Sequence, residues 1–362
     1  MRTNLSRTAL AACLVVVLAG CTVPPSRPEE PSAPEPLGTH FEFVFPTDQA
    51  NLTYAVRLLP TAQDGLSRVY LSGGSAAEAV ALDPVARELG RGSAPGSAYA
   101  VAAVRHDGVG TVFLESEPGP VVYALQESDL RFTLMADKRS GYHVGNAVLH
   151  QGVAYALLLD PDGLDAHRLV KVEGDHLVDV ALDPAVDRGL NVPSLGSDGQ
   201  TLALCQRQGG VLEAAILDDE GALVEQRVLD PLAFAGATSC VAAQAEGLHA
   251  FAWKSATGQT MLARLQAGQL ATEIVALNKT PQGIWVLGNA TFVLAQGDGW
   301  TDLLMKTGGS WTSCRVQEDP RDHVMLYPDA AGMWVFRLPY SSEGDAGSIV
   351  GDRLDPGPGA CS

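Results

Sequence analysis

From about residue 40 onward, the apolar residues fall in short runs separated by Gly, Asp, Asn and Pro. No long stretch carries them at helical spacing, so the pattern predicts an all-β chain. One order recurs: an apolar run, a turn with glycine or asparagine, then a strongly apolar run. The turns are His106-Asp107-Gly108, Gln151-Gly152, Ser197-Asp198-Gly199, Glu246-Gly247, Gly288-Asn289 and Ala331-Gly332. The runs that follow cover residues 110–114, 153–157, 201–204, 248–253, 290–294 and 333–336. Tight hairpins need positive φ, which Gly and Asn adopt at low cost. A strand that is apolar on both sides belongs inside a stack of sheets. Further turns follow in each unit, such as Asp162-Gly163 and Gly174, or Gly209-Gly210 and Gly221. Three turns connect four antiparallel strands, and the first turns recur every ~40–50 residues, the period of a propeller blade.

The run Ser197-Asp198-Gly199-Gln200-Thr201-Leu202-Ala203 resembles the turn of WD40-like and TolB-like propellers, without their usual proline. The other units keep only the glycine, so the resemblance is to an architecture and not to one family. It implies an all-β fold, a β-propeller of seven four-stranded blades over residues 40–362, with six or eight blades also compatible. Residues 41–45 read as a strong strand. Pairing with the last blade would close the ring as a clasp and remove exposed edges. A pair of β-sandwiches is the competing fold, but sandwiches lack so regular a register.

The N-terminus has a different pattern. Arg2 and Arg7 precede an apolar segment, residues 9–18, which is too short to span a membrane. It ends in Leu18-Ala19-Gly20-Cys21, which resembles a bacterial lipobox. The resemblance implies a signal peptide over residues 1–20, removed on export, and lipidation of Cys21 as the mature first residue. Two or three acyl chains make a stable anchor where one does not. The chain is thus expected in the cell envelope, lipid-anchored on the extracytoplasmic side. Residues 21–39 are rich in Pro, Ser and Glu and read as a disordered or extended linker.

The formal net charge of −18 disfavours nucleic acid and anionic headgroups as partners. Of the six cysteines, Cys13 falls in the signal and Cys21 takes the lipid. Cys205, Cys240, Cys314 and Cys361 remain, an even set for an oxidising compartment. Proximity favours Cys205 with Cys240 and Cys314 with Cys361; free buried thiols are the alternative.

The chain lacks a G-x-S-x-G elbow, an H-E-x-x-H motif, a phosphate loop and a C-x-x-C pair, so no cofactor or metal is implied. Counting nine residues back from each first-turn glycine should reach the start of the innermost strand, at the mouth of the central channel. Those positions hold Tyr99, His143, Leu190, Thr238, Lys279 (or Thr280) and His323, with Arg139 and Arg321 nearby. Tyr99, Arg139, His143, Arg321 and His323 are the candidate ligand contacts, weighed against solvated loop residues. The expected function is a binding or scaffold module for a protein or envelope ligand, in preference to an enzyme. The alternative is a glycan-active hydrolase or lyase with its site at that mouth.

Overall fold

The computed structural model describes residues 40–44, 57–59, 68–70, 77–82, 88–94, 97–117, 121–128, 131–160, 167–186, 194–208, 210–231, 240–297, 299–317, 323–329, 332–338 and 348–354. The signal segment, Cys21, the linker, Arg321 and Cys361 lie outside them. Every regular element described is a β-strand.

The chain begins with β1 (His40–Val44) and two short ribbons, β2 (Arg57–Leu59) with β3 (Arg68–Tyr70) and β4 (Ala77–Leu82) with β5 (Glu88–Ala94). A sheet follows from β6 (Ser97–His106), β7 (Val109–Glu117) and β8 (Val121–Ser128). Its outer strand is broken into β9 (Arg131–Leu134) and β10 (Arg139–Ser140). The next sheet runs β11 (His143–His150), β12 (Val153–Leu159), β13 (Arg168–Glu173) and β14 (His176–Val180). Then come β15 (Ser194–Ser197), β16 (Leu202–Gln208), β17 (Val211–Leu217) and β18 (Leu223–Asp230). They are followed by β19 (Val241–Ala242), β20 (His249–Lys254), β21 (Gln259–Gln266) and β22 (Gln269–Leu277). The strands β23 (Thr280–Leu287), β24 (Ala290–Gln296), β25 (Thr301–Thr307) and β26 (Ser310–Gln317) form another sheet. The last holds β27 (His323–Asp329), β28 (Gly332–Leu338) and β29 (Ser348–Leu354).

Each sheet is an antiparallel meander, and the first strand of each lies beside the first strand of the next from β6 through β11, β15 and β19 to β23. The fourth strand of the final sheet is β1, paired antiparallel with β29 from His40↔Asp352 to Val44↔Ser348. N-terminal and C-terminal segments therefore share one sheet. Consecutive four-stranded meanders with such a clasp make a β-propeller.

Burial explains why these sheets stack. The second strands are apolar on both sides because a sheet covers each side. β12 is buried throughout except at its two ends, and β20 and β24 except at their last residues. Each hydrophobic cluster is drawn from two consecutive sheets. Phe113 and Ala124 pack with Val144, Ala156 and Val170, while Leu157 and Leu169 pack with Leu195, Leu204 and Ala215. Ile216 and Leu229 pack with Phe251 and Trp253, and Ala252 and Leu262 with Val293 and Leu304. Burying one large apolar side chain contributes about 1.5–3 kcal/mol. A sheet removed from the stack would expose both sides at once.

The β15 and β19 sheets are additionally zipped along their inner strands. Ser197 N–H donates to Ala243 O (3.2 Å), Ala245 N–H to Ser197 O (2.8 Å) and Gly247 N–H to Asp198 O (2.8 Å). This approach requires glycine at 196, since a Cβ there would lie 2.7 Å from Ala243 O. Cys205 of β16 and Cys240 just before β19 form a disulfide with a Cα–Cα distance of 6.1 Å. Both sulfurs sit in the cluster shared by the two sheets. Cys314 in β26 is also disulfide-bonded.

Candidate functional site: the two ends of the ring

The antiparallel meander gives the ring two ends. At the lower end the inner strands finish and turn into the second strands. At the upper end the inner strands begin, where the fourth strands and the second-to-third-strand turns also arrive.

One row of polar groups at the lower end is buried between sheets. His150, the last residue of β11, places Nδ1 3.1 Å from Ser197 Oγ at the end of β15. His249, the first residue of β20, places Nε2 2.8 Å from Thr201 Oγ1 and 3.4 Å from Asp198 Oδ2. Asp198 Oδ1 accepts from the amides of Gln200 (2.8 Å) and Thr201 (2.6 Å). Three sheets are thus tied through one polar row. His150 Nε2 and His249 Nδ1 are buried with no hydrogen-bond partner among the described residues. Burial holds both imidazoles below the usual histidine pKa; Asp219 and then Asp198 oppose this at His150, and Asp198 and Glu225 oppose it at His249. Burial pushes the Asp198 carboxyl up, but the Thr201 and Gln200 amides and His249 outweigh it and leave the group low.

The sequence candidates spread over the upper end. His143 opens β11 and reaches back to the preceding sheet, where its Nδ1 lies 2.8 Å from Glu115 Oε2. The other oxygen of Glu115 accepts from Val144 N–H. Glu115 is buried, while the His143 side chain keeps 43% of its surface exposed. Tyr99 stands in β6 in register opposite Glu115. Backbone geometry therefore groups Tyr99, Glu115 and His143 at one sheet junction.

Arg139 is placed differently from its expected position near the mouth. It lies in β10, on the outer edge of its sheet, and holds Asp179 Oδ1 (3.4 Å) and the Leu177 carbonyl of β14, the outer strand of the next sheet. The break in the outer strand after Leu134 leaves Arg139 beside β8, so it tethers two outer edges. His323 opens β27, in register with Leu338.

A second cluster crosses the upper end of the β23 sheet. Lys279, immediately before β23, places Nζ 2.5 Å from Asp302 Oδ2 at the start of β25. Arg315 of β26 approaches Asp302 Oδ1 through Nε at 3.6 Å, and its guanidinium lies 4.7 Å over the Trp300 ring. The partners of Lys279 were not visible by counting back from glycines; the short string Trp300-Thr301-Asp302 was the available signal. Near this end, between the β15 and β19 sheets, Leu229, Asp230, Trp253 and Met261 line a cavity of about 290 Å³, with Trp253 Nε1–H donating to Asp230 Oδ2 (3.1 Å).

The fold and its clasp define a β-propeller, and solved structures with the same architecture agree. The chain is similar to the Cps50 (Swd1) β-propeller domain of Myceliophteria thermophila, with 10% identity, a TM-score of 0.55, and coverage of 86% of this chain and 99% of that one. It is similar to the WD40 domain of Toxoplasma gondii coronin, with 10% identity, a TM-score of 0.51, and coverage of 88% and 87%. It is also similar to prolyl oligopeptidase B of Galerina marginata, with 9% identity and a TM-score of 0.52 over 84% of this chain. The chain spans about half of that protein, 52% of its length. No protein-family model matches the sequence, and no curated protein is significantly similar to it.

Proposed function

We propose that this chain is a lipid-anchored, extracytoplasmic propeller of seven blades that serves as a binding module for a protein or envelope ligand. The lipobox-like segment ending in Cys21 and the Pro-rich linker support the anchor. The two ribbons β2–β3 and β4–β5 support the seventh blade, because β2 runs beside both β6 and β27, the inner strands of the sheet that follows and of the last sheet.

One observation carries the binding reading. At the lower end the row His150, Ser197, Asp198, Thr201 and His249 lies in blade-to-blade contacts, while His143, Arg315 and Trp300 at the upper end keep open surface. A rigid ring with side chains offered at one end suits recognition. The same architecture serves in a WD40 domain and in an oligopeptidase, so fold alone does not choose between binding and chemistry.

The test is photo-crosslinking on intact membranes from a probe placed at residue 143, with a probe at residue 224 on the outer edge as control. A specific adduct from residue 143 that is lost from residue 224 supports the module. Turnover of a glycan panel with no adduct supports the glycan-active alternative. That second reading rests on the Glu115–His143 carboxylate–imidazole pair, since such a pair can move a proton. Cys21→Ser should release the chain from the membrane fraction; retention there would contradict the lipid anchor.

A further inference from the structure

We infer that the upper end of the β23 sheet is a site for an acidic saccharide, with Arg315 receiving a sugar carboxylate and Trp300 carrying the sugar ring. The inference rests on the binding-module reading and names the ligand class.

Charge counting comes first. Lys279 and Arg315 bring two positive charges to one carboxylate, Asp302, so these three side chains sum to one positive charge in a chain of formal charge −18. The two cations are not equally committed. Lys279 lies 2.5 Å from Asp302, and its side chain is only 19% exposed, so its charge is spent on a carboxylate that is itself buried. Arg315 meets Asp302 only through Nε, at 3.6 Å, and its side chain is 51% exposed. Among the described residues, its two terminal nitrogens have no assigned acceptor.

Preorganisation comes second. Asp302 lies 3.6 Å from Nε, and the guanidinium sits 4.7 Å from the centre of the Trp300 ring. A guanidinium with a neighbour on two sides loses less rotational freedom when it takes a carboxylate in bidentate fashion. Trp300 itself keeps 37% of its surface open. Gly297 gives the indole room, since a Cβ there would lie 3.1 Å from Trp300 Nε1. Arg315 covers one side of the indole, and the surface that Trp300 keeps open fits the apolar side of a pyranose ring whose carboxylate turns toward the terminal nitrogens of the arginine. The half-exposed guanidinium of Arg315 matches a monoanionic carboxylate. A phosphate dianion would leave surplus negative charge on an already acidic protein.

Calorimetry on the full-length chain in detergent tests the site with a short oligouronide, a neutral oligosaccharide of the same linkage and an acidic peptide of equal charge. The oligouronide should bind at least about tenfold tighter than either control, and Arg315→Gln should weaken it about tenfold. Arg315→Lys keeps the charge without the fork and should also weaken binding, while Trp300→Ala should lower affinity for the ring. The unfolding midpoint of Arg315→Gln and of Arg315→Lys should match the parent. Equal binding of a control, or unchanged affinity in Arg315→Gln, would overturn the inference. No oligouronide binding with a specific membrane adduct retained sinks this site alone. Turnover of the oligouronide sinks the binding-module reading and leaves the site.

Discussion

The two ends of the ring use similar side chains for opposite purposes. At the lower end, His150, Ser197, Asp198, Thr201 and His249 lie between sheets, and each histidine is buried. At the upper end of the β23 sheet, Lys279, Asp302 and Arg315 also join strands, but the arginine and Trp300 keep open surface. A buried polar group without a partner costs about 1–3 kcal/mol, so the lower row stays intact only as a complete set. A half-exposed arginine 3.6 Å from its carboxylate contributes about 0–1 kcal/mol, so Arg315 is not needed for stability, whereas Lys279 and Asp302 form a largely buried pair. Location relative to water separates the buried row from the open cluster; residue type does not.

The largest effect expected comes from the covalent tie between the β15 and β19 sheets, which lies toward the upper end, where both inner strands begin. The Cys205–Cys240 disulfide closes a segment with a sequence separation of 35, and its loss in a Cys205→Ala, Cys240→Ala variant should cost about 3–4 kcal/mol in denaturant unfolding. Next is Gly196→Ala. Its Cβ would press on Ala243 O and part the inner strands, lowering stability by about 1–3 kcal/mol.

The histidines then give a pH signature. Both are held below the ordinary value of about 6.5 by burial, so the folded chain binds fewer protons than the unfolded chain just below that pH. Stability should be flat with respect to these groups above pH 6.5 and should fall as pH drops below it. His249→Gln should make that acid-side fall shallower, measured as the denaturant midpoint between pH 7.5 and 5.5 at ~0.5 unit steps. An unchanged slope would remove His249 from the account. Smallest is Val228→Thr on β18, whose side chain is exposed; the midpoint should move by less than about 0.5 kcal/mol.

The architecture was legible because a strand covered on both sides leaves a continuous apolar run, and runs such as 153–157 and 290–294 are of that kind. The clasp was legible for the same reason: residues 41–45 are apolar enough to demand a partner, and β29 supplies one. Side-chain partners were not legible. His143 meets Glu115 from another sheet, 28 positions away, and Lys279 meets Asp302 across a strand, 23 positions away. Such pairs depend on where turns deliver residues in space, which no local pattern encodes. Arg139 shows the same limit in reverse, since four positions before His143 it lies on the opposite edge of its own sheet.

The comparison between ends is tested most directly by equilibrium unfolding of His249→Gln beside Arg315→Gln at pH 7.5. The account predicts a lower midpoint for His249→Gln and an unchanged one for Arg315→Gln. A midpoint lowered in Arg315→Gln and unchanged in His249→Gln would contradict it.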